Sequence, residues 1–241
     1  MGRTFENRKQ AMLKRGDRDA KAFTRCGKQI AMAVRAGGPD ADNNPALRRA
    51  IQNARAVNMP KDRIQGAIEK ASGAGDTDAY EPVLYEGYGP HGVALLVETA
   101  TDNPTRTVAN IRFAFKKEGG NLGSPGSVAF MFDQFGVFRL RPDAVERDEL
   151  ELELIDDGLS DLVDGEDDDG KPVLVLRCNR DDFGRLQAGL ESRQLAPVSS
   201  GFEWVPKTTT AVSDEQADAV LKLVARLEDD DDVQEVFHNL A

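Results

Sequence analysis

Apolar residues recur at spacings of three and four from Phe23 onward, through Cys26, Gly27, Ile30, Ala31 and Val34, one face of a helix that starts near Lys21. Gly37-Gly38 stops it, as glycine does just past a helix C-terminus. Asn44-Pro45 reads as an N-cap followed by a first-turn proline. The helix behind it turns Leu47, Ile51 and Ala54 inward and displays Arg48, Arg49 and Arg55. Pro60 opens a third helix, with Ile64, Ala67 and Ile68 inward and Lys61, Arg63 and Lys70 outward. Ser72 to Gly75 ends it in small, flexible residues. Residues 1–20 are basic and show no apolar period, which predicts an arm that becomes ordered on a partner.

Past residue 80 the pattern changes to strands. Segments 83–89 and 92–100 flank a Gly-Pro-His-Gly turn, and 104–118 is amphipathic and helical up to Gly119-Gly120. Two further strands, SVAFMF and FGVFRL, follow the turn-rich NLGSPG. Then come an acidic helix at 142–157, a strand and turn at 161–170, a strand at 173–178 and a helix at 181–193. FEWVPKTTTAV, a helix at 214–228 and a last strand at DVQEVF close the chain. The final helix and strand complete a sheet left open near residue 140. The expected fold is α+β: an N-terminal three-helix domain (1–75) and two α/β sandwich domains, the third (138–204) inserted into the second (76–137 with 205–241).

Charge sharpens this picture. The 241 residues carry a net of −11. Residues 1–75 hold 16 Lys and Arg against 7 Asp and Glu, a net of +9, whereas the remainder holds 15 against 35, a net of −20. Such a split predicts a head that binds a polyanion, on a body that repels one. The plainer alternative is two oppositely charged domains that merely hold each other. No apolar run approaches the roughly 20 residues that span a bilayer, and the polar N-terminus lacks a secretory core. A cytoplasmic protein without a membrane partner is expected. Two distant cysteines, Cys26 and Cys178, fit a reducing compartment.

Candidate chemistry is thin elsewhere. The loop GGNLGSPGSV (119–128) lacks a P-loop lysine and lies between a helix and a strand, the reverse of P-loop order. The acidic runs at 166–169 and 228–232 lack the alternation of a calcium loop and read as solvated turns. His91 sits in a turn, and no nucleophile–base or HExxH motif accompanies it. No metal, cofactor or catalytic residue is expected, and a metal-dependent hydrolase built on the acidic insert is the reading least supported. Phosphate contacts come from Arg and Lys on helices or arms. The candidates are Arg3, Arg8, Lys9, Lys14, Arg15, Lys21, Arg25, Lys28, Arg48, Arg49, Arg55, Lys61 and Arg63. Only Phe5 and Phe23 could stack on bases there, so backbone binding to a structured nucleic acid is favoured over a single-strand platform.

Five stretches resemble the YebC family, which includes the mitochondrial translational activator of cytochrome c oxidase: 22–40, 44–73, 85–112, 119–137 and 227–239. The resemblance spans nearly the whole chain. It implies a helical bundle and two α/β domains, one inserted in the other, and no enzymatic activity. Members are described as probable DNA-binding transcriptional regulators, and are also linked to translation, where they ease ribosomes stalled on proline-rich stretches. The resemblance therefore leaves two targets, promoter DNA and ribosomal RNA, with a transcription complex or the ribosome as the larger machine. It breaks at the start, where Thr4 and Phe5 stand in the region of the family's usual His and Trp.

Overall fold

A computed structural model describes the backbone of residues 3–73, 79–144, 146–167 and 170–241, with side chains from Arg18 onward apart from that of Ala144. The first helix, α1, runs Arg3–Gly37 and continues without a break through the segment expected to be an arm. That segment has no proline and is rich in Arg, Lys, Gln, Glu, Met and Ala, all good helix formers, so propensity carries the helix where no apolar stripe marks it. Helices α2 (Pro45–Ala56) and α3 (Lys61–Ser72) complete the bundle. Its core is Cys26, Ile30, Val34, Leu47, Ala50, Ala54, Met59 and Ile64. Buried Asn44 welds the first corner: its Oδ1 accepts the Leu47 amide (3.0 Å), and its Nδ2 donates to the carbonyls of Ala33 and Gly38 (2.8 Å each).

The first sheet has the order β3-β1-β2-β8, all antiparallel, from β1 (Glu81–Tyr88), β2 (Ala94–Thr101), β3 (Asn121–Leu122) and β8 (Val233–His238). Helices α4 (Pro104–Lys117) and α7 (Asp214–Glu228) cover one face through Ile111, Phe115, Val220, Leu223 and Leu227. Central β2 is buried on both faces, which is why its sequence reads as a continuous apolar run.

The second sheet has the order β5-β6-β4-β7, from β4 (Phe132–Leu140), β5 (Leu159–Glu166), β6 (Pro172–Asn179) and β7 (Ser199–Pro206). Helices α5 (Arg147–Leu154) and α6 (Phe183–Ser192) pack on it around Phe138, Leu154, Leu176, Leu186 and Leu190. One expectation changes here. The strand containing FGVFRL was expected to extend the first sheet to residue 137, yet β4 pairs along its length with β6 and β7. The expected breaks at 137/138 and 204/205 therefore fall inside β4 and β7. Strand periodicity tells which face is buried and carries no information about which neighbour supplies the ladder. The free face of the first sheet (Ala94, Leu96, Phe237) meets the start of β4 and Trp204 of β7, so the two sheets share a small apolar junction.

Candidate nucleic-acid interface

The head's candidate cations divide sharply once folded. Arg3, Arg8, Lys9, Lys14 and Arg15 stand on the helical backbone of α1, and their side chains lie outside those described. Lys21, Arg25 and Lys28, expected to face a ligand, point instead at residues 228–233. Lys21 Nζ meets Asp229 at 2.5 Å. Arg25 donates from Nε to the Val233 carbonyl and from Nη2 to the Glu228 carbonyl, both at 3.1 Å. Lys28 is buried, with Nζ 2.6 Å from Asp232 Oδ1, 2.8 Å from the Asp231 carbonyl and 3.0 Å from the Ala100 carbonyl. The acidic run 228–232, read as a solvated turn, is thus the seat of α1. Opposite charge draws the two segments together, and burial then makes the Lys28–Asp232 pair a fixed anchor.

Arg49 is a second departure. Its guanidinium lies 5.3 Å from the Phe183 ring centroid and 5.6 Å from that of Phe202, and burial lowers its pKa. It joins α2 to the inserted domain by cation–π contact. Asn53 and Gln52, which charge-based reasoning passed over, make the same joint. Asn53 donates to the Ser200 carbonyl (2.8 Å) and accepts the Ser200 amide (3.0 Å), and Gln52 donates to the Pro197 carbonyl. The only signal in the sequence was two amides on the α2 flank between Arg49 and Ala54.

Among the described side chains, four candidates remain open to solvent. Arg48 is exposed and braces the α1–α2 turn through the carbonyls of Ala41 and Asp42, both at 3.2 Å. Arg63 is exposed over the Phe23 ring at 5.5 Å. Arg55 and Lys61 are exposed and make no ion pair among the described residues. Arg48 and Arg55 lie seven residues apart on one stripe of α2, about 10 Å along its axis.

The acidic body faces the head across a cleft. A cleft of about 1610 Å³ separates the three domains; Arg18, Lys21 and Arg25 line one wall, and Glu98, Glu203 and Glu235 the other. Glu98 and Glu235 are direct cross-strand partners, Glu98 accepts the Trp204 indole N–H at 2.7 Å, and Glu203 pairs with Arg139 at 2.6 Å. Inside the cleft, desolvation and the Glu203 and Glu98 charges push the Glu235 carboxyl up to about 8.

The Gly-rich loop is already occupied by the protein itself. The buried Glu86 carboxylate accepts the amides of Gly126 (2.6 Å), Val128 (2.8 Å) and Ala129 (2.8 Å), the groups a phosphate would have needed. His91 sits in its turn at φ 62°. In the other acidic run, Asp167 pairs with Arg141 at 2.6 Å, and Asp168 and Asp169 lie outside the described residues. Among the described residues no group of three His, Cys, Asp or Glu could hold a metal ion, and no helix is long and apolar enough to cross a membrane. Cys26 and Cys178 are both buried and are not joined in a disulfide, and burial raises the Cys178 thiol to about 11.

Comparison with known proteins agrees with this architecture. Residues 3–74 match the model of the TACO1/YebC protein N-terminal domain, and residues 80–240 that of the TACO1/YebC second and third domain. A "probable transcriptional regulatory protein" of Anaeromyxobacter dehalogenans is 57% identical over 241 residues, covering all of both chains. Another so named, from Flavobacterium johnsoniae, is 49% identical over 240 residues, 100% of this chain and 99% of the relative. The crystal structure of a conserved hypothetical protein from Aquifex aeolicus superposes with a TM-score of 0.81 at 35% identity, covering 92% of this chain and 90% of the other. Helical head, nested sheets and full-length identity together make this chain a member of the TACO1/YebC family.

Proposed function

We propose that this protein is a non-enzymatic regulator of gene expression that binds nucleic acid through its helical head. The observation that carries the reading is the charge split, +9 in residues 1–75 against −20 beyond them, with Arg48, Arg55, Lys61 and Arg63 still exposed on α2 and α3. The relatives' shared name, probable transcriptional regulatory protein, supports a regulatory role.

One observation keeps ribosomal RNA level with a specific promoter as the target. Asn and Gln are the side chains that read adenine edges from a helix in the major groove. On α2 both Gln52 and Asn53 are spent on the backbone of Pro197 and Ser200. What α2 offers outward is guanidinium from Arg48 and Arg55, which grips phosphate and, at a base edge, suits guanine alone. That suits a ribosome-associated translation factor, the role in proline-rich stalling that the family resemblance implies, at least as well as a DNA-binding transcription factor.

The test is affinity for duplex DNA and for a structured ribosomal RNA fragment across a salt series. Arg55→Glu with Lys61→Glu should weaken binding by roughly tenfold and flatten the slope of log K against log salt by about 0.7–0.9 per lost contact. Lys222→Glu, an exposed cation on the acidic body, should change little. Equal losses from head and body reversals would refute the head as the binding element.

A further inference from the structure

Three neighbouring cations of α1 meet acceptors on the domain that holds residues 228–233, and the manner of that contact is graded. Lys21, Arg25 and Lys28 occur at i, i+4 and i+7, one stripe of α1. All three reach the short segment 228–233, Lys28 bonding the Ala100 carbonyl as well. At the Lys28 end the pair is closed, with side chains 8% and 5% exposed. At the Lys21 end it is open, with Lys21 39% and Asp229 74% exposed. Arg25, between them, donates to neutral carbonyls and makes no ion pair of its own among the described residues, with Glu235 acting on it only across the cleft. Towards the N-terminus the same spacing continues to exposed Arg18 and, by position along the helix, to Lys14.

The energies follow the same gradient. An exposed ion pair is weak and screened by solvent, whereas parting a buried one leaves an uncompensated charge in the interior and costs far more. A phosphate oxygen pair gives arginine charge-assisted, bidentate acceptors, stronger than two neutral carbonyls. The open end can therefore exchange its partners for phosphates while the closed end stays in place.

We propose that the α1 ridge through Lys21 and Arg25 is a second phosphate-binding surface, and that the acidic turn Glu228–Asp232 is its built-in competitor. A nucleic-acid backbone entering from the N-terminal side of α1 displaces Asp229 from Lys21 and then takes Arg25 from the carbonyls of Glu228 and Val233. Lys28 keeps the helix attached throughout. Binding is thereby coupled to release of the turn, and weak polyanions fail where a continuous phosphate backbone succeeds. The inference rests on the nucleic-acid reading above.

The test uses the full-length chain and a short RNA duplex. Glu228→Gln, Asp229→Asn and Asp231→Asn together remove three of the turn's five acidic charges and spare Asp230 and the Asp232 anchor. Asp148→Asn, Glu149→Gln and Glu151→Gln on exposed α5 change the net charge equally, far from α1 in sequence and in another domain. The turn variant should bind about three- to tenfold more tightly than the parent and the α5 variant within about twofold, since exposed charges beyond a Debye length are screened. In the parent, RNA should speed amide hydrogen exchange across 228–232. Equal gains from both variants, or slower exchange in the turn on binding, would overturn the competitor. Failure of every form to bind the duplex would overturn the nucleic-acid reading itself, and this inference with it.

Discussion

Replacing Asp232 with asparagine should undock the helical head. The Asp232 side chain is 5% exposed and gathers Lys28 Nζ (2.6 Å), Arg106 Nη2 (2.7 Å) and Thr107 Oγ1 (2.7 Å). Burial alone would raise its pKa; the hydrogen bonds from Arg106, Lys28 and Thr107 outweigh this and hold the carboxyl at about 2, below its ordinary 3.8. A folded pKa below the unfolded one means the ionised form stabilises the fold, by roughly 2 kcal/mol above about pH 4, and that this is lost as pH falls from 3.8 towards 2. Asparagine removes the charge at every pH and strands the Lys28 ammonium in the interior, which costs about 3–5 kcal/mol. Lys28→Met leaves Asp232 with Arg106 and Thr107 and should cost less, about 1–3 kcal/mol. The double variant should be cheaper than the sum by about 0.5–3 kcal/mol. Urea unfolding read by circular dichroism gives the energies, hydrogen exchange in 18–34 reports undocking of α1, and fluorescence of Trp204 reports the junction between the sheets. A cost under about 1 kcal/mol for Asp232→Asn, or strictly additive singles, would place this pair with ordinary surface bridges and refute the anchor.

Two other carboxylates make opposite predictions. Glu86→Gln can no longer offer ionised oxygens to the amides of Gly126, Val128 and Ala129, and should destabilise the protein by about 1–3 kcal/mol and speed proteolysis within 123–131. Burial raises the Glu86 pKa, but those amides pull it further down, so its contribution is present at neutral pH and should fade on acidification. Glu235 titrates the other way: with its pKa raised from 4.5 to about 8, the folded state holds the extra proton, so stability should decline as pH rises across that window. Glu235→Gln should abolish the decline and melt higher than the parent at pH 8; an unchanged pH profile would refute this account.

How far the sequence reaches is clearest in α2. The Asn44 cap, the first-turn Pro45 and the buried Leu47 and Ala54 were all legible, because capping and helical period are local and repeat along the chain itself. So were the three-helix head, the antiparallel sheets and the strong charge asymmetry. The fate of each charge was not legible. Arg48, Arg49 and Arg55 look alike on a helical projection, yet Arg49 is wedged against Phe183 and Phe202, more than a hundred residues away. Lys21, Arg25 and Lys28 likewise pair with a segment some two hundred residues on, so the plainer reading of mutually held domains describes this part of the head, and the polyanion reading rests on the cations that stay exposed. Strand partnership failed for the same reason when β4 joined the second sheet. Period and capping are properties of neighbours along the chain, whereas pairing and desolvation belong to neighbours in space. Residue order alone determined which cations this protein has; only the packing of the three domains decided which of them stay exposed to solvent.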